Sequence, residues 1–152
     1  MKKQTITKRY ENLPAAHRQP NHDGHCRLIH GHNWAFDITL QCVKLDENGF
    51  VVDVGKMKLI RSWLENRFDH TLLLNADDPI RGESQLAVLQ QLSKVVIVDN
   101  CGMEGLARYV LEHVNILIEH ALELEDWKER GVQVVSVTCF EDTKNSATCS
   151  LV

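Results

Sequence analysis

No stretch of this sequence approaches the ~20 consecutive apolar residues that span a bilayer, and no apolar run follows residues 1–4. We therefore expect a soluble, cytoplasmic protein that does not contact a membrane. Basic clusters longer than two residues are also absent and the formal net charge is -4, which argues against nucleic acid as a partner. An anionic ligand would need a local cation, for which the candidates are Lys8, Arg18 and Arg27.

Cysteines with CxxC spacing are missing as well. The five cysteines are odd in number and scattered, which argues against a disulfide framework and against a zinc site made of thiolates alone. At least one thiol is expected to stay free. The cysteines are Cys26, Cys42, Cys101, Cys139 and Cys149.

Internal repeats and low-complexity linkers are absent, and 152 residues fit one domain of the usual ~100–200 residues. We expect residues 1–152 to form this single domain. Alternating apolar side chains predict a long strand over residues 32–44, beside an N-terminal strand that starts near residues 5–10 and leads to His17. The turn at residues 46–49 predicts a hairpin with a returning strand at 50–52.

Helices are predicted where apolar residues recur at helical spacing. This pattern covers residues 55–67 and, over a longer span, residues 106–124, after which Gly131 stops the helix. A weaker helix is predicted at residues 83–92. Two β-rich segments follow, at 132–140 and through residue 151, so the order of elements indicates an α+β sandwich.

His30 and His32 extend the apolar face of the long strand. Their i, i+2 spacing places both imidazoles on the same side of the sheet. His17 ends the N-terminal segment, which can lie antiparallel beside this strand. Three neutral imidazoles with one open position are a recurrent catalytic zinc arrangement.

The sequence leaves open which role Cys26 has. As a fourth ligand it would close the site and make the metal structural; as a free thiol it would be a reactive group beside the metal. A chance cluster of histidines without metal is the third interpretation. His22 and His25 belong to the polar loop that starts at Gln19, and we expect them to be solvated.

Further short motifs lie in order along the chain: Ala15-Ala16-His17-Arg18, Cys26-x-x-x-His30-Gly31-His32, Val52-Asp53, Asp69-His70, and two later glutamates, Glu104 and Glu141. In this combination the sequence resembles the 6-pyruvoyl tetrahydropterin synthase family. The resemblance implies the tunnelling fold (T-fold), a four-stranded antiparallel sheet backed by two helices. It also implies that trimers pair into a hexameric barrel, with sites at subunit interfaces.

The resemblance also implies roles for single residues. Zinc would be bound by His17, His30 and His32. Cys26 would be the catalytic base, with Asp69 and His70 completing a proton relay. Glu104 and Glu141 would bind the pterin ring through paired hydrogen bonds. The chain departs from its relatives at residues 100–103, where they usually carry Pro-Thr or Pro-Ser, and in a longer segment at residues 78–94.

The three residues between Cys26 and His30 resemble the bacterial 6-carboxytetrahydropterin synthase of the queuosine pathway, since the animal enzyme has a longer gap. The expected activity is that of a zinc-dependent lyase. It would convert 7,8-dihydroneopterin triphosphate into 6-carboxytetrahydropterin, acetaldehyde and triphosphate. One alternative is the pyruvoyl synthase reaction, which eliminates triphosphate and isomerises the side chain. The other is a non-catalytic pterin-binding or structural zinc protein.

Overall fold

A six-stranded mixed sheet forms the centre of the computed structural model, which describes residues 3–152. Its strands are β1 (Thr5–His17), β2 (His30–Gln41), β3 (Thr71–Asn75), β4 (Lys94–Val98), β5 (Gln133–Phe140) and β6 (Ser146–Ser150). They lie in the order β4-β3-β1-β2-β5-β6. β1, β2, β5 and β6 form the antiparallel sheet of the T-fold, and β3 and β4 extend it in parallel.

Four α-helices accompany the sheet in the described residues: α1 (Lys58–Phe68), α2 (Glu83–Leu92), α3 (Met103–His120) and α4 (Glu125–Glu129). α1 packs on β1 and β3, and α3 packs on β5 and β6. α1 buries Ile60, Leu64 and Phe68, which lie on one face because they are four residues apart. Within residues 3–152, no helix is both long and apolar enough to cross a membrane.

The alternating pattern predicted for the long strand is confirmed along β2. The inward side chains Trp34, Phe36, Ile38 and Leu40 are all fully buried in the hydrophobic core. β2 begins at His30, two residues earlier than predicted, so both of its histidines lie within the strand.

One strand prediction was wrong, and two strands of the sheet, β3 and β4, were not predicted. Residues 50–52 do not form a returning strand, because the turn closes on itself: Asp46 Oδ1 accepts the N–H groups of Asn48 and Phe50. Instead, Val51 and Val52 enter the core from a bend. β3 was not predicted at all. All five of its residues are buried, as expected of a strand inside a parallel arrangement, so its sequence has no alternation to detect.

The long helix is also shorter than predicted. α3 ends at His120 because Ala121 adopts an extended conformation, with φ -80° and ψ 117°. A 3-10 turn (Leu122–Leu124) and α4 follow, so Leu124 is buried from a separate turn. The predicted helix at residues 83–92 is confirmed as α2. The predicted helix at 55–67 is confirmed as a 3-10 turn, Val54–Met57, continued by α1.

Candidate metal centre and active site

Three histidines meet where β1 and β2 pair. The antiparallel register sets His17 opposite His30 and Ala15 opposite His32. The ring centroids of the three imidazoles are 4.6, 5.0 and 5.0 Å apart. One nitrogen of each ring lies within 4.8 Å of the other two. The spacing argument from the sequence therefore predicted this cluster correctly.

Backbone carbonyl groups orient two of the rings. His17 Nδ1 donates to the Cys101 carbonyl oxygen and His30 Nδ1 donates to the Leu28 carbonyl oxygen, both at 2.7 Å. A carbonyl oxygen only accepts, so each Nδ1 carries the hydrogen and each Nε2 of the neutral ring carries a lone pair. These two Nε2 atoms face each other at 3.1 Å.

Burial disfavours the protonated form of two of the rings, His17 and His32. Burial, with a smaller contribution from the neighbouring histidines, lowers the pKa of His17 to about 4, although the hydrogen bond to Cys101 opposes this shift. Burial also lowers the pKa of His32, although Glu141 opposes this effect. His32 Nε2 is buried and makes no hydrogen bond; its nearest charged partner is Glu141 Oε2 at 3.7 Å.

This donor set fits a divalent transition metal. Zinc–nitrogen bonds of about 2.0–2.1 Å in tetrahedral geometry separate two ligand nitrogens by roughly 3.3 Å. The separation between His17 Nε2 and His30 Nε2 is close to this value, and a cation between them would relieve the repulsion of facing lone pairs. His32 Nε2 supplies a third nitrogen without a competing partner.

Cys26 is not part of this group. Among the described residues, the ligand atoms that lie within 4.8 Å of one another belong to the three histidines and include no thiol. Cys26 is exposed in a 3-10 turn, His25–Arg27, and its carbonyl oxygen accepts the Gln19 N–H at 2.6 Å. The arrangement therefore favours a free thiol over a fourth ligand. His22 and His25 are exposed, as predicted.

Asp69 and His70 are in direct contact. Asp69 Oδ1 lies 2.7 Å from His70 Nδ1. Neighbouring side chains on extended backbone point apart, but His70 has a left-handed conformation with φ +55°. Its N–H donates to the Pro14 carbonyl oxygen at 2.7 Å, which ties this turn to β1.

Two clefts adjoin His32. One, of about 430 Å³, is lined by His32, His70 and the backbone around Ala16. The other, of about 460 Å³, is lined by His32 together with Arg9 and Glu141. His32 thus stands between a cleft lined by His70, a member of the predicted proton relay, and a cleft lined by Glu141, a residue predicted to bind the pterin ring.

The two glutamates are placed differently. Glu141 follows β5 directly and lines the second cleft, whereas Glu104 lies in the first turn of α3 and lines neither. Burial raises the pKa of the Cys139 thiol, and the charges of Glu141 and Glu104 raise it further. Both carboxylates therefore lie within electrostatic reach of one buried residue, Cys139.

Arg18 was expected to be available to an anionic ligand, but its guanidinium is occupied by an ion pair. Its Nε and Nη2 atoms donate to the two carboxylate oxygens of Asp78, each at 2.8 Å. Burial would raise the pKa of Asp78, but the hydrogen bond from Arg18 and the Ile80 N–H lower it overall. The guanidinium is committed to a buried ion pair.

Sequence reasoning missed the backbone groups that hold the imidazoles, at Leu28 and Cys101. No sequence signal could have found them, because every residue type carries a carbonyl. It also missed Asn75, whose side chain accepts the Cys101 N–H, since this residue ends the unpredicted strand β3.

Comparisons with known proteins agree with this geometry. The family model described as 6-pyruvoyl tetrahydropterin synthase matches residues 5–151. A relative named 6-carboxy-5,6,7,8-tetrahydropterin synthase, from Rickettsia conorii, is 37% identical over 78 residues. That match covers 51% of this chain and 56% of the relative, so the chain spans little more than half the length of the curated protein it matches.

Solved structures agree on the fold. An uncharacterized protein from Wolinella succinogenes superposes with a TM-score of 0.76 at 19% identity, over 99% of both chains. A catalytic-residue mutant of the Plasmodium vivax 6-pyruvoyltetrahydropterin synthase superposes with a TM-score of 0.64 at 20% identity, over 96% of this chain and 97% of that one. With the match to the family model over almost its whole length, this chain belongs to the 6-pyruvoyl tetrahydropterin synthase family.

Proposed function

We propose that this protein is a zinc-dependent 6-carboxytetrahydropterin synthase, a carbon–carbon lyase. It would convert 7,8-dihydroneopterin triphosphate and one water molecule into 6-carboxy-5,6,7,8-tetrahydropterin, acetaldehyde and triphosphate. The observation that carries the proposal is the convergence of three imidazoles, one of which, His32, lines two clefts. Relatives named 6-carboxy-5,6,7,8-tetrahydropterin synthase support this choice of product. In the bacterial members that the sequence resembles, this reaction belongs to queuosine biosynthesis.

His17, His30 and His32 would hold the metal through their Nε2 atoms. Bound zinc supplies Lewis acidity to the hydroxyl oxygens of the substrate side chain. The carbonyl groups that accept from His17 and His30 keep the rings in the tautomer that ligation requires. Because His32 adjoins both clefts, a substrate bound beside it would reach the relay on one side and Glu141 on the other.

His70 and Cys26 would move the protons. Asp69 accepts the Nδ1–H of His70, which leaves Nε2 to take up or release a proton. The His70 side chain is 84% exposed, so this nitrogen is accessible to a ligand in the cleft. The exposed thiol of Cys26 has no role as a ligand in this arrangement, and we assign it the role of base.

Glu141 would orient the pterin. A carboxylate accepts two parallel hydrogen bonds from a ring N–H and the adjacent exocyclic amine. Glu141 lines the cleft beside His32, which supports this role. We propose Glu104 as the second carboxylate that binds the pterin ring. The observation that supports this role is that both Glu104 and Glu141 lie close enough to Cys139 to raise the pKa of its thiol.

We further propose that residues 1–152 act as one T-fold domain within a cytoplasmic dimer of trimers. The clefts beside His32 are open to solvent in the single chain, and a neighbouring subunit would cover them. Light scattering on the eluted protein tests this assembly. A mass of six chains supports it, and a monomeric mass contradicts it.

Product analysis tests the activity. The zinc-loaded protein is incubated with 7,8-dihydroneopterin triphosphate, and acetaldehyde and the pterin product are quantified. We expect equimolar acetaldehyde and 6-carboxytetrahydropterin. A pyruvoyl product without acetaldehyde would identify the isomerising synthase instead. Binding of the substrate without any product would identify a non-catalytic pterin-binding protein.

A further inference from the structure

A buried asparagine lies behind the histidine cluster. Asn75 ends β3 and is only 7% exposed. Its Oδ1 atom accepts the Cys101 N–H at 2.8 Å. The carbonyl oxygen of the same residue, Cys101, accepts the Nδ1–H of His17 at 2.7 Å. A single residue, Cys101, therefore links the side chain of Asn75 to the orientation of a metal-binding ring.

The nitrogen of the Asn75 side-chain amide also makes a hydrogen bond. Asn75 Nδ2 donates to Gln19 Oε1 at 3.2 Å, and Gln19 Nε2 donates to Asn100 Oδ1 at 3.2 Å. Asn100 Oδ1 in turn accepts the Gly102 N–H at 2.7 Å. The loop after β1 and the segment before α3 are thus tied together through one side chain of β3.

The opposite side of this segment is held by close packing. A Cβ atom on Gly105 would lie 2.2 Å from the Asn100 carbonyl oxygen, so the first turn of α3 rests directly against the backbone there. The Asn100–Cys101 peptide is therefore confined between α3 and Asn75, which accepts its N–H. The Cys101 carbonyl belongs to the next peptide, whose Gly102 N–H is held by Asn100 Oδ1, and Asn100 is tied to Asn75 through Gln19. Because both peptides that flank Cys101 are held, its carbonyl keeps its direction, whereas a free loop would let that carbonyl turn away.

We propose that Asn75 is a positioning residue for the metal centre. By fixing the Cys101 carbonyl, it holds His17 with Nε2 directed toward His30 and His32. This inference rests on the proposed function, in that it requires the three histidines to bind a metal. Groups that hydrogen-bond directly to a metal ligand commonly change metal affinity by about 10–100-fold when they are removed. Asn75 acts on His17 only through Cys101, so we expect its loss to weaken metal affinity by about 10-fold.

The test is metal affinity, measured by competition between the protein and a chelator for Co²⁺, together with the visible absorption of the cobalt form. Asn75→Leu removes both hydrogen bonds of the side chain, to Cys101 and to Gln19, whereas Asn75→Asp keeps an oxygen that accepts the Cys101 N–H. We expect Asn75→Leu to bind Co²⁺ about 10-fold more weakly, with an altered visible spectrum, and Asn75→Asp to bind within about 3-fold of the parent or more tightly.

Asn115 supplies a matched control. Like Asn75, it accepts a backbone N–H through its amide oxygen, here that of Val134, and its amide nitrogen donates to the Val134 carbonyl oxygen. It lies on α3 and makes no hydrogen bond to Cys101 or to the three histidines. Asn115→Leu should lower thermal stability and leave cobalt affinity and spectrum unchanged. If Asn75→Leu does not fold, Asn75→Ser replaces it with the same expectation, because its hydroxyl is one atom too short to reach Cys101.

Three outcomes would overturn the inference: an Asn75→Leu or Asn75→Ser protein with parental affinity and spectrum, an Asn115→Leu protein with an equal loss, or an Asn75→Asp protein as weak as the leucine variant. Failure of the proposed function has a different signature. In that case the parent protein itself would bind no Co²⁺.

Discussion

His17 and His30 face each other with their Nε2 atoms 3.1 Å apart, while the Nδ1 atom of each donates to a backbone carbonyl oxygen. With hydrogen on each Nδ1, the two Nε2 atoms of neutral rings present lone pairs to each other, and a metal cation between them would relieve this repulsion. The Nε2 atom of His32 makes no hydrogen bond and is a third candidate metal ligand. A metal centre at these residues would therefore depend on two carbonyl groups as well as on three side chains.

Loss of one imidazole should abolish tight metal binding. His30→Ala removes a ligand and should leave the protein with far less than one zinc per chain after dialysis, because two imidazoles bind weakly. His25→Ala is the control, since it changes an exposed histidine in the neighbouring loop. Zinc is measured by mass spectrometry of the purified proteins. Equal zinc in both variants would contradict the assignment.

Cys26→Ala separates the two roles considered for this thiol. We expect full zinc content and a loss of turnover of roughly 10²–10⁴-fold, the usual contribution of a general base. Cys149→Ala changes another partly accessible thiol and should leave both properties unchanged. A Cys26→Ala protein that loses its zinc would instead make this residue the fourth ligand.

His70→Ala should affect turnover without affecting the metal. The expected loss in kcat is roughly 10²–10⁴-fold, and Asp69→Asn should lose less because the ring remains. His120→Ala is the control, since that exposed histidine bonds only the Ile116 carbonyl at the end of α3. Steady-state kinetics on zinc-matched samples measure the effect. Unchanged kcat in His70→Ala would remove this residue from the mechanism.

Stability of the metal-free protein should depend on pH through His17. Burial lowers its pKa from 6.5 to about 4, so between these values the unfolded chain binds a proton that the folded chain does not. The free energy of unfolding should therefore fall as the pH drops through this window, by on the order of 3 kcal/mol. Above this window the group contributes no pH dependence.

Urea unfolding of the metal-free protein at a series of pH values measures this slope. His17→Gln removes the titrating ring and should flatten the profile in the same window. A parent protein and a His17→Gln variant with the same pH dependence would contradict the explanation.

Most of the fold could be predicted from periodicity. β2 alternates so regularly that its buried face, from Trp34 to Leu40, follows from the sequence alone. β3 could not be predicted, because five consecutive buried residues have no period. The end of α3 could not be predicted either, since the apolar stripe continues to Leu124 although Ala121 leaves the helix.

The site was predictable only where side-chain spacing determines it. The i, i+2 spacing of His30 and His32 was sufficient to predict their shared face. The contact between Asp69 and His70 was not, because it depends on a left-handed backbone that residue types alone do not specify. The role of Asn75 depends on a strand and a loop that meet only in the folded chain.

Zinc K-edge X-ray absorption of the purified protein tests the central claim most directly, namely that His17, His30 and His32 bind the metal and Cys26 does not. We predict about one zinc per chain, with three imidazole nitrogens at about 2.0–2.1 Å and an oxygen ligand in the remaining position. A sulfur shell at about 2.3 Å, or a protein that binds no zinc, would contradict the account.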